Sequence, residues 1–404
     1  MQTNETEQRR SFIEDYRSGE WSMTELCERY GVSRPTGYKW VERFEAEGNE
    51  GLVERSRAPG SCPHQTPATV ERKILALRQE YGWGAKKLRQ VLERRHPTMG
   101  LPAQSTINAI LDRHGKLRKN RRRRKWEHPG AAPLVTERAN EVWPVDFKGQ
   151  FKTTNGTYCY PLTVTDHFSR KLLMCRGLLT VRGEHAKPAF RRLFQEVGLP
   201  EAIRSDNGAP FASTGIHGLS EMNVWWMKLG IVHQRIRPAS PQENGAHERM
   251  HRELKKETTT PPAANLRSQQ KRFDAFRHRY NQERPHEGIG GAIPDERWEP
   301  PKRSYPDKIV APEYPEHMEV RRVSNAGCFR LHRRQPFLSN ALAGEDIAVE
   351  EVNDGLWNIV YYRTLLGRYD ESTRKISGAP KNSPRTHGGS GSRASALRAP
   401  LRDP

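Results

Sequence analysis

The chain has 404 residues, room for two to four folded units, and its 68 Lys and Arg against 48 Asp and Glu leave a net charge of +20. That balance points to a polyanionic partner, most often nucleic acid, because phosphate neutralisation releases counterions. With 34% hydrophobic residues, a mean hydropathy of −0.90 and no bilayer-length apolar run, the sequence excludes one large core and a membrane span and favours small basic modules on linkers.

The first module spans residues 7–57. Phe12, Ile13 and Tyr16, then Leu26 and Tyr30, then Tyr38, Val41 and Phe44 recur at helical spacing. Ser22-Met23-Thr24-Glu25 is a capping box, Gly31 suits a tight interhelical turn, and Ser33 is placed to cap the next helix. This is a helix-turn-helix pattern, and Arg34, Lys39 and Arg43 are its candidate DNA contacts; the plainer alternative is a three-helix bundle with a solvated basic face. Residues 58–67 read as a linker. A second helix-turn-helix-like unit covers 68–114, with Val70, Ile74, Leu77, Leu88, Val91, Leu92, Ile107, Ile110 and Leu111 as its apolar positions. Residues 115–141 form a basic arm. Its run Lys116 to Lys125, including Arg121, Arg122, Arg123, Arg124 and Lys125, has eight basic residues and no acid, so it repels itself until anions arrive. It is expected to lie along DNA phosphates or in a minor groove.

Composition changes at Val142. Strands are predicted at Val142–Phe147, Tyr158–Thr165 and Leu172–Leu178, a helix at His185–Val197, and a short strand at Ala202–Ser205. Then come a helix near Leu219–Leu229, a strand from Val232, and a helix running from the Pro241–Gly245 loop to about Glu257. This is an α/β order with an antiparallel front. Asp146 sits in the first strand, Asp206 at the end of a later one, and Glu243 and Glu248 near the last loop. Carboxylates from separate elements can converge on magnesium or manganese. Two such ions activate a water or a 3′-hydroxyl in phosphoryl transfer.

Three blocks carry a resemblance: Trp143-Pro144-Val145-Asp146-Phe147; Ser205-Asp206-Asn207-Gly208 with Phe211; and Pro241-Gln242-Glu243-Asn244-Gly245-Ala246-His247-Glu248-Arg249. They resemble the integrase-type (DDE) transposases of bacterial insertion sequences, over residues 142–290. The resemblance implies a ribonuclease-H-like core akin to retroviral integrases, with Asp146, Asp206 and Glu248 as catalytic metal ligands. Glu248 is selected over Glu243 because the family's acid follows the loop glycine. The 42 positions from Asp206 to Glu248 exceed the family's usual gap, with the extra length expected around Ser213 to Val224. The resemblance also implies double-stranded DNA as substrate, two magnesium ions for which manganese can substitute, and a homo-multimer joining two DNA ends.

Arg252 and Lys255 share the helical face of Glu248 and are candidate DNA contacts; the alternative is a solvated charged face. Asp166-His167-Phe168-Ser169-Arg170 reads as a turn or as support for the site, and His233, His247 and His251 as poor magnesium ligands. A Tyr-Asn-x-x-Arg-Pro-His block, Tyr280 to His286, resembles the family's closing segment. Short strands from Met318 to Tyr369 predict a small β-barrel over 316–372, and residues 376–404 a disordered tail. Five scattered cysteines form no Cys-x-x-Cys pair, and Met1 to Glu5 lacks a signal peptide's apolar core, so a reducing cytoplasm is the expected compartment, which the resemblance implies is bacterial, at the nucleoid. No Gly-rich Lys loop offers a nucleotide site. The competing readings are a helix-turn-helix regulator with a vestigial core, and a simple metal-dependent nuclease; three intact acids oppose the first and two DNA-reading modules the second.

Overall fold

The computed structural model describes residues 5–54, 65–117, 134–213, 218–236 and 245–378. Two compact units divide at Thr69/Val70.

The first unit holds α1 (Glu5–Ser18), α2 (Met23–Tyr30), α3 (Arg34–Glu47) and a 3-10 turn at Gly48–Leu52. Phe12, Ile13, Leu26, Cys27, Val41 and Leu52 form its core. Ser22 and Glu25 make the expected capping box, and Gly31 ends α2 with φ +64°. Ser33 stands at the N-cap of α3, but its hydroxyl pairs with Thr36 Oγ1 at 2.9 Å and caps no backbone N–H. Gly37 sets how closely α3 crosses its neighbours, since a Cβ there would lie 2.9 Å from Phe12, Met23 and Cys27.

The second unit opens with α4 (Ala68–Tyr81, entering at Val70), α5 (Ala85–Arg95) and α6 (Gln104–Arg113). All nine apolar positions read from the sequence are buried in their shared core. The 58–67 linker lies largely, and the run Arg121 to Lys125 wholly, outside the described residues.

Next come β1 (Val142–Phe147), β2 (Phe151–Lys152), β3 (Tyr158–Thr165), β4 (Leu172–Leu178), α7 (Gly183–Val197), β5 (Ala202–Ser205), α8 (Glu221–Lys228), β6 (Val232–Arg235), α9 (Gly245–Thr258), α10 (Leu266–Gln282) and the short α11 (Pro294–Arg297). β3 pairs antiparallel with β1, β4 and the short β2, while β5 pairs parallel with β1 and with β6. α7 and α8 cover one face through Phe190, Phe194, Trp225 and Trp226. Leu254, Phe273 and Phe276 of α9 and α10 pack with Cys159, Leu172 and Cys175 of β3 and β4.

α5 turns a basic face to the segment from the end of α10 to α11. Lys86 meets Glu287 at 3.6 Å, Arg94 meets Glu296 at 3.2 Å, and Arg95 meets Glu283 at 3.7 Å. Tyr81 Oη donates to Glu283 at 2.5 Å. Single exposed pairs of this kind contribute at most about 1 kcal/mol, so the seam acts as a network.

The chain ends in β7 (Glu319–Arg322), β8 (Asp346–Asn353), β9 (Leu356–Tyr361), β10 (Thr364–Asp370) and β11 (Lys375–Gly378). The expected barrel is not formed. The order is β11-β10-β9-β8-β7, an open antiparallel sheet whose edge strands do not pair. Cys328–Leu331 makes isolated bridges instead of a strand. The apolar face that a barrel would close on itself packs against Val323, Phe329, Leu331, Leu338 and Leu342, and against Leu219, Val224 and Met227 at α8. β11 takes in residues 376–378, expected from the sequence to belong to the tail, and 379–404 lie outside the described residues.

Asn140 fastens the core. Its Oδ1 accepts from Trp143 Nε1 at 3.1 Å and Trp298 Nε1 at 3.2 Å, and its Nδ2 donates to Glu299 O at 2.7 Å. Its own N–H donates to Asp166 Oδ1 at 2.8 Å, and its φ is +67°. Asn140→Ala strands these partners and places a Cβ without polar compensation in the left-handed region, so we expect a loss of about 3 kcal/mol in urea unfolding. A loss below about 1 kcal/mol would show that the fastening is dispensable.

Candidate active site

The two aspartates are neighbours by register. β1 and β5 pair in parallel at Val142↔Ala202, Trp143↔Ile203 and Pro144↔Arg204. Carried on by two residues, that register sets Asp146 against Asp206, just past the end of β5. Asp206 opens a turn in which its Oδ1 accepts from Gly208 N at 3.1 Å, and Asn207 Nδ2 ties the loop to Ile236 O at 3.0 Å. Phe211 anchors the loop, stacked on Trp226 and Phe147 with centroids 5.8 Å apart in each case.

α9 brings the third acid across the sheet. Its buried face carries His247, Met250, His251 and Leu254, and its exposed face Glu248, Arg249, Arg252 and Lys255. Both His247 Nε2 and His251 Nε2 lie 2.7 Å from Thr163 Oγ1, and Thr163 is the register partner of Asp146. The Thr163 hydroxyl donates to Asp146 O at 3.0 Å, so each ring donates its Nε2–H into the same oxygen. Burial pushes His247 down to about 3 and His251 to about 2, which keeps both neutral. His251 Nδ1 stands 3.6 Å from Asp146 Oδ2, too far for a hydrogen bond, and a neutral ring makes no ion pair there. The two histidines dock α9 on β3.

Burial pushes the Asp146 carboxyl up to about 7, helped by the charges of Asp206 and Glu248. The donors are hard, anionic and mutually repelling, which suits a small divalent cation. Among the described residues, no three His, Cys, Asp or Glu side chains are grouped tightly enough to hold one. The structure therefore pairs Asp146 with Asp206 and brings Glu248 into their field without closing a cage. Glu243 falls outside the described residues.

The proposed DNA contacts divide. Lys39 is exposed on α3, and Arg43 is half-buried. Arg34 is exposed, but its Nε donates to Thr24 Oγ1 at 3.1 Å. Arg252 and Lys255 are exposed on the Glu248 side of α9, whereas Glu253 turns to Arg284 at 3.0 Å.

Some supporting residues carry no sequence signal of their role. Ser205 Oγ donates to Asp206 O at 2.9 Å and accepts from His233 Nε2 at 2.8 Å. Asn223 Nδ2 donates to His233 Nδ1 at 3.0 Å and to Phe211 O at 2.9 Å. Burial and the charge of Arg235 hold His233 neutral, down to about 3. This relay from α8 through β6 fixes the backbone of Asp206. Asp166 is a turn residue: its Oδ2 accepts from Ser169 N at 2.8 Å and Ser169 Oγ at 2.6 Å. In the closing block, Asn281 pairs with both backbone groups of Leu172, at 2.8 and 2.9 Å.

Integrase core domain models match residues 136–241 and 229–294, a helix-turn-helix domain matches 8–60, and a homeodomain-like domain matches 36–111. The chain is 26% identical over 243 residues to the insertion element IS476 uncharacterized 39.2 kDa protein of Xanthomonas euvesicatoria, covering 58% of this chain and 66% of that protein. It is 26% identical over 158 residues to the insertion element IS407 uncharacterized 31.7 kDa protein of Burkholderia multivorans, covering 39% and 54% respectively. The match thus spans less than two thirds of either relative. Among solved structures, the HTLV-2 integrase catalytic core domain in complex with magnesium is 18% identical, with a TM-score of 0.31 over 40% of this chain and 97% of that one. A simian T-cell lymphotropic virus intasome in complex with a PP2A regulatory subunit is 17% identical, with a TM-score of 0.36 over 76% and 100%. Overlaps that loose add nothing to the assignment. The core models fall on the sheet just described and the helix-turn-helix models on the helices before it, giving the ribonuclease-H-like core and N-terminal reading domains that the resemblance implied. Together with the insertion-element relatives, they show an integrase core domain following helix-turn-helix domains in a chain similar to proteins of insertion elements.

Proposed function

We propose that this chain binds the ends of its own mobile element and cuts and joins DNA strands there, with Asp146, Asp206 and Glu248 as the catalytic acids. The observation that carries this reading is the side-by-side placement of Asp146 and Asp206 at the ends of parallel β1 and β5, with Glu248 on the helix docked across them. Two magnesium ions, or manganese in their place, would be held by these carboxylates and would activate the attacking oxygen and stabilise the leaving one.

The chain's own part is placement. The Ser205–His233–Asn223 relay sets the position of Asp206, and the Thr163–His247–His251 cluster sets α9 and so Glu248. Water attacks phosphorus in cleavage, breaking the P–O3′ bond and freeing a 3′-hydroxyl; in joining, that hydroxyl attacks a phosphorus of target DNA, forming a new P–O bond as the target strand's own 3′-oxygen leaves. Arg252 and Lys255 hold the DNA end beside the acids. Arg34, Lys39 and Arg43 of the first unit, and the run Arg121 to Lys125, supply sequence reading and phosphate contacts. Joining two ends requires a homo-multimer on DNA. The setting is the bacterial cytoplasm, at the nucleoid. Among the described residues, no helix is long and apolar enough to cross a membrane.

Asp206→Asn should lower strand cleavage and joining by about three orders of magnitude while leaving end binding within about twofold. Joining at the wild-type rate by this variant sinks the site. In the same assay Glu248→Gln should match Asp206→Asn and Glu243→Gln should not; the reverse result moves the third acid into the loop.

Asp146 carries its proton to higher pH in the folded chain than in the unfolded one. In metal-free buffer its contribution to stability is therefore full below about pH 4 and lost as pH rises towards about 7. Asp146→Asn should raise the melting temperature by about 2–4 °C at pH 8, with little change at pH 4. A lower melting temperature at pH 8 would mean that repulsion does not govern the pair.

Neutralising Arg121 to Lys125 should weaken DNA binding and flatten its salt dependence, by about 0.9 in slope for each phosphate that is no longer neutralised. An unchanged slope places the arm off the DNA.

A further inference from the structure

The Asp166–Arg170 block is not used up by the three acids. Arg170 closes the turn between β3 and β4 with its N–H donating to Asp166 O at 3.0 Å and a φ of +66°. A left-handed residue with a Cβ costs about 1 kcal/mol relative to Gly, and such strain concentrates where a side chain is put to use. The turn itself is already held by the Asp166 carboxylate on Ser169 and needs no guanidinium.

Where that guanidinium goes is informative. Among the described residues, no carboxylate comes within ion-pair distance of Arg170. Its polar contact is His167 Nδ1 at 3.4 Å, on a ring whose Nε2–H donates to Leu134 O at 3.0 Å. Burial and Arg170 hold that ring neutral, down to about 4, so it presents a lone pair and no charge to Arg170. Arg170 lines a cleft of about 380 Å³ together with Arg297, and no acid lines it. It also lines a small cavity with Pro144 and Ala246, each two residues from a candidate catalytic acid. At its other side the cleft is lined by Leu134 to Thr136, in the part of the arm that follows the basic run Lys116 to Lys125.

We propose that this cleft is a phosphate seat for the DNA strand, in which Arg170 and Arg297 grip a backbone phosphodiester beside the catalytic acids. The proposal rests on the DNA-processing reading above. A phosphodiester supplies a negative partner for two cations that have no carboxylate partner among the described residues. The strained backbone aims Arg170 at it.

The test uses the full-length chain, a fluorescent DNA duplex and a salt titration read by anisotropy. Arg170→Gly relieves the left-handed backbone, so it should keep or raise the melting temperature while lowering DNA affinity several-fold and the log–log salt slope by about 0.9. Arg297→Gln, at an exposed position, should lower the slope by a similar amount. Arg170→Lys should keep the slope. Arg170→Gly with wild-type affinity and slope would make Arg170 a turn residue and overturn the seat, as would a melting temperature lowered by several degrees, which would make the guanidinium a structural prop. Wild-type affinity in Arg297→Gln overturns it equally. If inorganic phosphate raises the melting temperature of wild type but not of Arg170→Gly, while DNA binding is the same in both, the site takes free anions and not DNA. Loss of salt-sensitive duplex binding by the wild type itself would instead remove the DNA reading, a result distinguishable because Asp206→Asn and the seat variants would then all behave alike.

Discussion

The parallel pairing of β1 with β5 is the constraint on which the site depends. Parallel strands finish at the same edge of a sheet, so equal register carries Asp146 and Asp206 to one place. A slip of one residue would turn one of the two side chains to the opposite face. The register is guarded from both sides. Trp143 and Ile203 are fully buried in the core that α7 and α8 cover, and Thr163 of β3 holds the backbone of Asp146 from the antiparallel flank.

The imidazoles around the acids are neutral and hydrogen-bonded. His247 and His251 are buried in this region and His233 is half-buried, and desolvation keeps each uncharged at neutral pH. They add no positive charge near the carboxylates, so nothing from the imidazoles offsets the repulsion that raises Asp146. A buried neutral network fixes geometry without neutralising the site, and leaves that to whatever cation or substrate group arrives.

How far the sequence could be read follows from how local each feature is. The strands at Tyr158–Thr165 and Leu172–Leu178 were legible because apolar β-branched and aromatic runs end at clear turn residues. The helix of Glu248 was legible from its Gly-led start and its charge. The C-terminal sheet was legible as strands but not as an open sheet, because alternation identifies strands and says nothing of which edges meet. Asn140 was invisible: its partners Trp298 and Glu299 lie far along the chain, and one Asn carries no periodic signal. The His233–Ser205 pair was hidden for the same reason. Ser33 had the right position for a cap, yet its hydroxyl found Thr36, which shows that position alone does not decide a hydrogen bond.

The seam between α5 and the segment from the end of α10 to α11 shapes how ionic strength acts on the molecule. Lys86, Arg94 and Arg95 spend their charge on Glu287, Glu296 and Glu283, while burial and nearby Arg284 push the Lys87 ammonium down to about 8. Part of the helical unit's positive charge is thus neutralised within the chain and is not offered to solvent. Salt loosens such a joint as it loosens phosphate contacts. The seam of the second helical unit is therefore electrolyte-sensitive, so a salt titration of this protein reads two effects at once: the grip on a polyanion, and the screening of the chain's own ion pairs.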